Sequence, residues 1–166
     1  LEPKEDIEEI QIFEVHLKEQ SYSLELLRSI DKAIPYPILH VLIYEGQAKL
    51  AIAYKERNLT DENRSVVRSY HETDWQPVKS IELNILQGLD LKAVYENIIR
   101  QLLPIKVKPE IELSAVLERQ TQIDKLTQEC RRLESKMRAE KQFNRKVELN
   151  MDLQRKRKEL NQLLDE

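Results

Sequence analysis

The sequence predicts an α+β protein: a small mixed sheet with covering helices, followed by a long C-terminal helical coiled-coil arm. Three observations lead there. Residues 1–104 alternate short β-branched runs with two amphipathic helical patterns. Residues 110–166 contain neither Gly nor Pro. Within that tail, apolar residues recur every seven positions. With 166 residues, the chain suffices for one domain with a core plus an appendage.

The elements follow in order. EIQIFEVHLK (Glu9–Lys18) alternates Ile10, Ile12, Val15 and Leu17 around Phe13 and reads as a strand. Ser23 stands at the N-cap of SLELLRSIDKAI, where Leu26, Leu27, Ile30 and Ile34 recur at helical spacing until Pro35 stops them. PILHVLIYEGQAKLAIAY is a β-hairpin turning at Glu45-Gly46-Gln47, with Gly46 free to take positive φ. The polar stretch ERNLTDENR separates it from SVVRSYHETDW, a further strand, and IELNIL (Ile81–Leu86) alternates as another. Gly88 breaks that run, Asp90 caps the helix LKAVYENIIRQLL, and Pro104 ends it. The order β-α-β-β-β-β-α suits one sheet with helices on one face. Residues 105–109 are the linker, with Pro109 placed for the first turn of the arm.

In the arm, Val116, Ile123, Cys130 and Met137 form one row, and Leu126 and Leu133 complete an a/d seam. Arg119 and Glu140 fall on d positions and interrupt it. Leu153 and Leu160 start a second row, out of phase with the first. Either a stutter in one continuous helix or a hairpin bent in EKQFNRK produces such a shift. The absence of Gly and Pro favours the single long helix.

Composition narrows the function classes. Two glycines among 166 residues argue against nucleotide-binding folds built on glycine turns. One cysteine, Cys130, excludes an internal disulfide framework and suits a reducing cytoplasm. At an a position it reads as a small seam hydrophobe. No apolar run reaches the roughly 18–20 residues that cross a bilayer, so no membrane partner is expected. The opening LEPKED lacks a Met, and a further N-terminal portion is expected ahead of it. From Lys108 onward there are 14 Lys/Arg and 12 Asp/Glu, a balance of +2; the remainder carries 27 − 14 = 13 against 30 − 12 = 18, or −5. That is not the footprint of a nucleic-acid-binding domain. The run Arg155, Lys156, Arg157 and Lys158 could touch phosphates, but four successive helical residues point all around the helix.

Few residues offer chemistry. Glu14, His16 and Lys18 share one face of their strand and could hold Mg²⁺ beside a phosphodiester, as in nucleases whose carboxylates and lysine share a strand. An acid at position 16 and a second carboxylate from a neighbouring strand would be needed, and HVLIY supplies none. The alternative is a polar solvent face. His40, His71, Glu72 and Asp74 match no metal-ligand spacing, so neither metal nor cofactor is expected, and a histidine such as His40 reads as a hydrogen-bonded structural residue. Trp75 is expected to pack on the sheet. At the phase change, Phe143 and Val147 lie one turn apart as an apolar knob among Asn144, Arg145 and Asn150, a candidate partner-binding surface.

EEIQIFEVHLK, LLRSIDKAIPYPILHVLIYEGQAKLAIAYKER, YHETDW, GLDLKAVYENIIRQL and EKQFNRKVELN together resemble a bacterial family, domain of unknown function forty-three ninety-one, over nearly the whole chain. IDKAIPYPI and EKQFNRKVELN are its most specific stretches. The resemblance implies genes beside superfamily 2 helicases and DNA methyltransferases of restriction or phage-defence systems. It thus implies an accessory subunit with those two proteins as partners; from the residues themselves no enzyme is expected, and the coil offers a homodimer as a further option. It supplies no catalytic residues, and it implies an acid where His16 stands, which weakens the metal reading.

Overall fold

The computed structural model describes residues 7–57, 65–84, 87–105, 108 and 110–165. The chain divides into two compact units, residues 1–106 and 107–166.

The first unit is built on a mixed five-stranded sheet. Strands β1 (Gln11–His16), β2 (Ile38–Tyr44), β3 (Gln47–Arg57) and β4 (Ser65–Glu72) lie side by side in chain order. β1 runs parallel to β2, a pairing that needs a crossover, and helix α1 (Leu24–Ala33) lies in that connection. β2, β3 and β4 are antiparallel neighbours. The turn joining β2 to β3 has positive φ at both Glu45 (44°) and Gly46 (77°), the type I′ geometry whose twist matches the flanking strands. Arg57 extends β3 into the stretch read as a loop, of which residues 58–64 lie outside the described residues.

Helices on a single face were expected; the burial pattern corrects this. Ile38, Leu39 and His40 are consecutive and all buried, as are Leu50, Ala51, Ile52 and Ala53, so both faces of the central strands are covered. On one face Leu27 of α1 packs with Leu42 and Ala51, joined by Tyr70 and by Trp75, which packs there as expected. Helix α2 (Leu91–Leu102) packs on β3 and β4 with Val94, Tyr95, Ile98 and Ile99 buried. Asp90 caps it, Oδ1 accepting from the Ala93 amide at 2.8 Å. Gly88 has φ 157°, and a Cβ there would lie 2.7 Å from the Val94 nitrogen, so glycine is required by close approach.

Three further expectations fail. Leu26 belongs to the apolar row of α1 by spacing, yet it is 56% exposed; the buried row is Leu27 and Asp31. Ser23 stands at the N-cap, but its hydroxyl makes no capping bond. Ile81–Asn84 is no strand, while Ile85 and Leu86 lie outside the described residues. The Gln101 side chain pairs with the Asn84 backbone at 3.0 and 3.1 Å, doing what a neighbouring strand would have done. The fifth strand is the short β5 (Gln76–Pro77), paired to the start of β3 and followed by a 3₁₀ turn, Val78–Ser80.

The second unit is a helical hairpin, not one long helix. Helices α3 (Leu113–Ala139) and α4 (Phe143–Asp165) pack antiparallel, with Arg157 on Glu134 at 2.8 Å and Lys156 on Glu129 at 3.2 Å. The phase shift is the reason. At 100° per residue, the 16 positions from Met137 to Leu153 turn about 160°, so an unbroken helix would place the two apolar rows on opposite faces. Folding back lets them meet. Val116, Ile123, Cys130 and Leu153 are buried, and Leu126, Leu133, Met137 and Leu160 are half-buried. Pro109 lies outside the described residues.

The turn forms without Gly or Pro because Glu140 replaces them. Its amide closes α3 on the Lys136 carbonyl at 3.0 Å, and its carboxylate accepts from the amides of Lys141 (2.8 Å) and Gln142 (2.9 Å). The Gln142 amide first, with Lys141 and nearby cations, holds this carboxyl below its ordinary pKa. At the open end, Arg119 donates two bonds to the Leu163 carbonyl, 2.9 and 2.6 Å, satisfying the C-terminus of α4. Leu153→Ala should cost about 2–5 kcal/mol of hairpin stability. The check is thermal denaturation of the full chain followed by helical circular dichroism, where an unchanged melting curve would contradict the packing described.

Candidate functional site

Asp31 is fully buried in the last turn of α1, where the helix faces the sheet. Three strands bring donors to it. His40 on β2 places Nε2 3.0 Å from Oδ2, and Tyr70 on β4 donates its hydroxyl to the same oxygen. Lys55 on β3 brings its ammonium to Oδ1 at 2.8 Å. Since an ionised carboxylate only accepts, the His40 proton sits on Nε2. The same ammonium donates to the carbonyls of Ile34 (2.9 Å) and Tyr36 (2.7 Å), placing a cation at the C-terminal end of α1, where the helix dipole favours one. Ser65 donates to the Asp31 carbonyl at 3.2 Å.

A β-bulge between Tyr54 and Lys55 displaces the β3 ladder here. Tyr95 of α2 repairs it, accepting from the Lys55 amide at 2.8 Å and donating to the Ala53 carbonyl at 2.6 Å. One polar network therefore links both helices of the domain to strands β2, β3 and β4.

Burial by itself raises the Asp31 carboxyl, but hydrogen bonds from His40, Lys55 and Tyr70 outweigh it and hold the group below its ordinary pKa. Burial lowers the Lys55 ammonium against the opposing pull of Asp31. Burial and Asp31 both raise the Tyr70 phenol. The residue types are those of an acid–base site, yet Oδ2 of the carboxylate takes both hydrogen bonds, Oδ1 faces the Lys55 ammonium as an ion pair, and that ammonium donates to two carbonyls. His40 Nδ1 makes no hydrogen bond and lies within the closed interior, its ring edge-on to Phe13. The arrangement positions secondary structure: Asp31, His40 and Lys55 are buried, and Tyr70 at its edge is half-buried.

The sequence-derived candidates lie elsewhere. Glu14 and His16 share an exposed face of β1, 2.7 Å apart, with Lys18 exposed just beyond the strand. Their register neighbours on β2 are Val41 and Ile43, so that strand brings no second carboxylate. Among the described residues no group of three His, Cys, Asp or Glu side chains is placed to hold a metal. His71 bonds Ser69 and Glu72 pairs with Lys49, away from the His40–Asp31 contact. In the basic run, Arg155 pairs with Asp152, Lys156 with Glu129 and Glu159, and Arg157 with Glu134. Three of its four cations thus already have carboxylate partners.

Phe143, Val147 and Met151 form an apolar stripe on α4, 77, 43 and 68% exposed, with Asn144, Arg145 and Asn150 exposed beside it. Met151 is the member that sequence reasoning missed, though its i+8 spacing from Phe143 announced it. Asp31, Lys55, Tyr70 and Tyr95 were missed altogether. Their signal was polar residues embedded in apolar runs: Asp31 four places after Leu27, and Lys55 closing AIAYK.

These features define a class: an α+β domain with a buried ionic centre, carrying a helical hairpin with an exposed apolar edge. The family whose profile matches residues 1–160 is described as Domain of unknown function (DUF4391), and the chain belongs to it. No curated protein and no solved structure matches the chain. Among the described residues no helix is long and apolar enough to cross a membrane.

Lys55→Ala leaves Asp31 buried without its cation and should destabilise the domain by about 3–5 kcal/mol in urea titration at pH 7. A carboxyl whose folded pKa lies below its unfolded value, about 3.9, contributes stability above that value and loses it as pH falls through the lower folded value. The domain should therefore weaken in acid. Asp31→Asn should be less stable at neutral pH and lose part of this acid dependence; an unaltered pH profile would show the carboxylate is not the titrating group.

Proposed function

We propose that this protein is an accessory protein–protein interaction subunit of a bacterial restriction-modification or anti-phage defence system. It docks a helicase, a DNA methyltransferase or both through its globular domain and its helical arm, in the cytoplasm, and carries no catalysis of its own. The carrying observation is the contrast between the units: the domain's ionic centre is buried, while the hairpin exposes Phe143, Val147 and Met151 along one edge. An apolar edge on a helix is how a helical module engages a partner surface. The family resemblance supports the choice of partners. The a/d pattern supports coiled-coil packing within the hairpin; because α4 occupies the α3 seam, homodimerisation through that seam is the weaker option.

Size-exclusion chromatography of the full chain with the helicase and methyltransferase encoded beside it tests the reading. Co-elution with at least one of them, lost on deleting residues 110–166, is the expected result. Failure to bind either one, or binding unaffected by the deletion, would overturn it.

A further inference from the structure

The hairpin tip combines two properties that identify the surface it fits. One is the stripe Phe143–Val147–Met151, at i, i+4 and i+8 on α4, with Phe143 the most exposed of the three. The other is charge. Between Arg138 and Met151 the chain carries Arg138, Lys141, Arg145 and Lys146 against Glu140 and Glu148, 4 − 2 = +2. The Glu140 carboxylate is already engaged by two backbone amides of the turn. The tip is therefore a protruding aromatic within a cationic collar, on a chain whose net charge is −3.

We propose that this tip is a docking knob for an acidic, apolar site on another protein, a hydrophobic groove rimmed by Asp and Glu that takes Phe143 as its anchor. This rests on the interaction-subunit reading and specifies its partner's chemistry. A second copy fits poorly. Two tips of charge +2 repel, and three side chains fall short of the roughly 800 Å² per partner that a stable dimer buries. A carboxylate-rimmed groove answers both features, since an exposed aromatic supplies the anchor and the cations supply steering and register. Nucleic acid would answer the charge alone, leaving Val147 and Met151 without a role.

The test uses the isotope-labelled full chain and a synthetic amphipathic helix with a Leu stripe flanked by Glu. Backbone amide shifts should move at residues 141–151. The affinity should fall at least tenfold in Phe143→Ser and by a similar factor in 0.5 M salt, with the thermal transition unchanged because Phe143 is exposed. The same peptide with Lys for Glu should not bind. Equal binding of the Lys peptide, shifts elsewhere on the chain, or tighter binding to a short DNA duplex would overturn the proposal. So would concentration-dependent self-association of the free chain abolished by Phe143→Ser. Because the peptide needs neither helicase nor methyltransferase, the tip can fail here while the accessory role stands, and the reverse.

Discussion

A buried carboxylate must be fully satisfied or it unfolds what surrounds it, and Asp31 imposes that demand on the whole domain. Its donors come from β2, β3 and β4, so the contacts form only when α1 has one rotation and those strands are in register. A one-residue slip of β3 would point Lys55 to the other face and leave Asp31 without its cation. Such a centre adds less net stability than an apolar packing of equal volume would. Its effect is on alignment: Lys55 fixes the end of α1 through Ile34 and Tyr36, and its amide recruits Tyr95 from α2.

The hairpin solves a different problem with the same economy. A chain without Gly or Pro should continue as helix, yet the apolar rows on either side of residue 140 cannot share a face in a straight one. The two side chains that spoil the heptad fasten the alternative. Glu140 caps the turn and Arg119 caps the open end, each placing charge where helix termini leave backbone groups unpaired. Phe143 and Val147 then fall outside the seam and face solvent.

The parts of this architecture legible in the sequence were those set by local periodicity. The β2–β3 hairpin, the two domain helices and the inward rows of the arm all follow from spacing that a single element imposes on itself. IELNIL alternates like a strand, but its described residues Ile81–Asn84 are not one, and the Gln101 amide pairs with the Asn84 backbone instead. The Asp31 centre was illegible because its members lie 9, 24 and 39 residues from Asp31, and each looks like an error in an apolar pattern until the others surround it. His40 alone was read correctly as a hydrogen-bonded residue, without its partner. The choice of helix or hairpin was in fact decidable from the phase arithmetic, but the missing turn residues were given more weight than the opposed faces.

The two units differ in kind: the domain is aligned around a buried charge, and the arm exposes an apolar stripe along α4. Amide hydrogen exchange of the full chain, alone and mixed with the helicase or methyltransferase proposed as its partner, tests that difference most directly. The account predicts slowed exchange at residues 140–154, with the amides around Asp31, His40, Lys55 and Tyr70 unchanged. Protection confined to β1 around Glu14 and His16, with the hairpin exchanging as in the free chain, would contradict it.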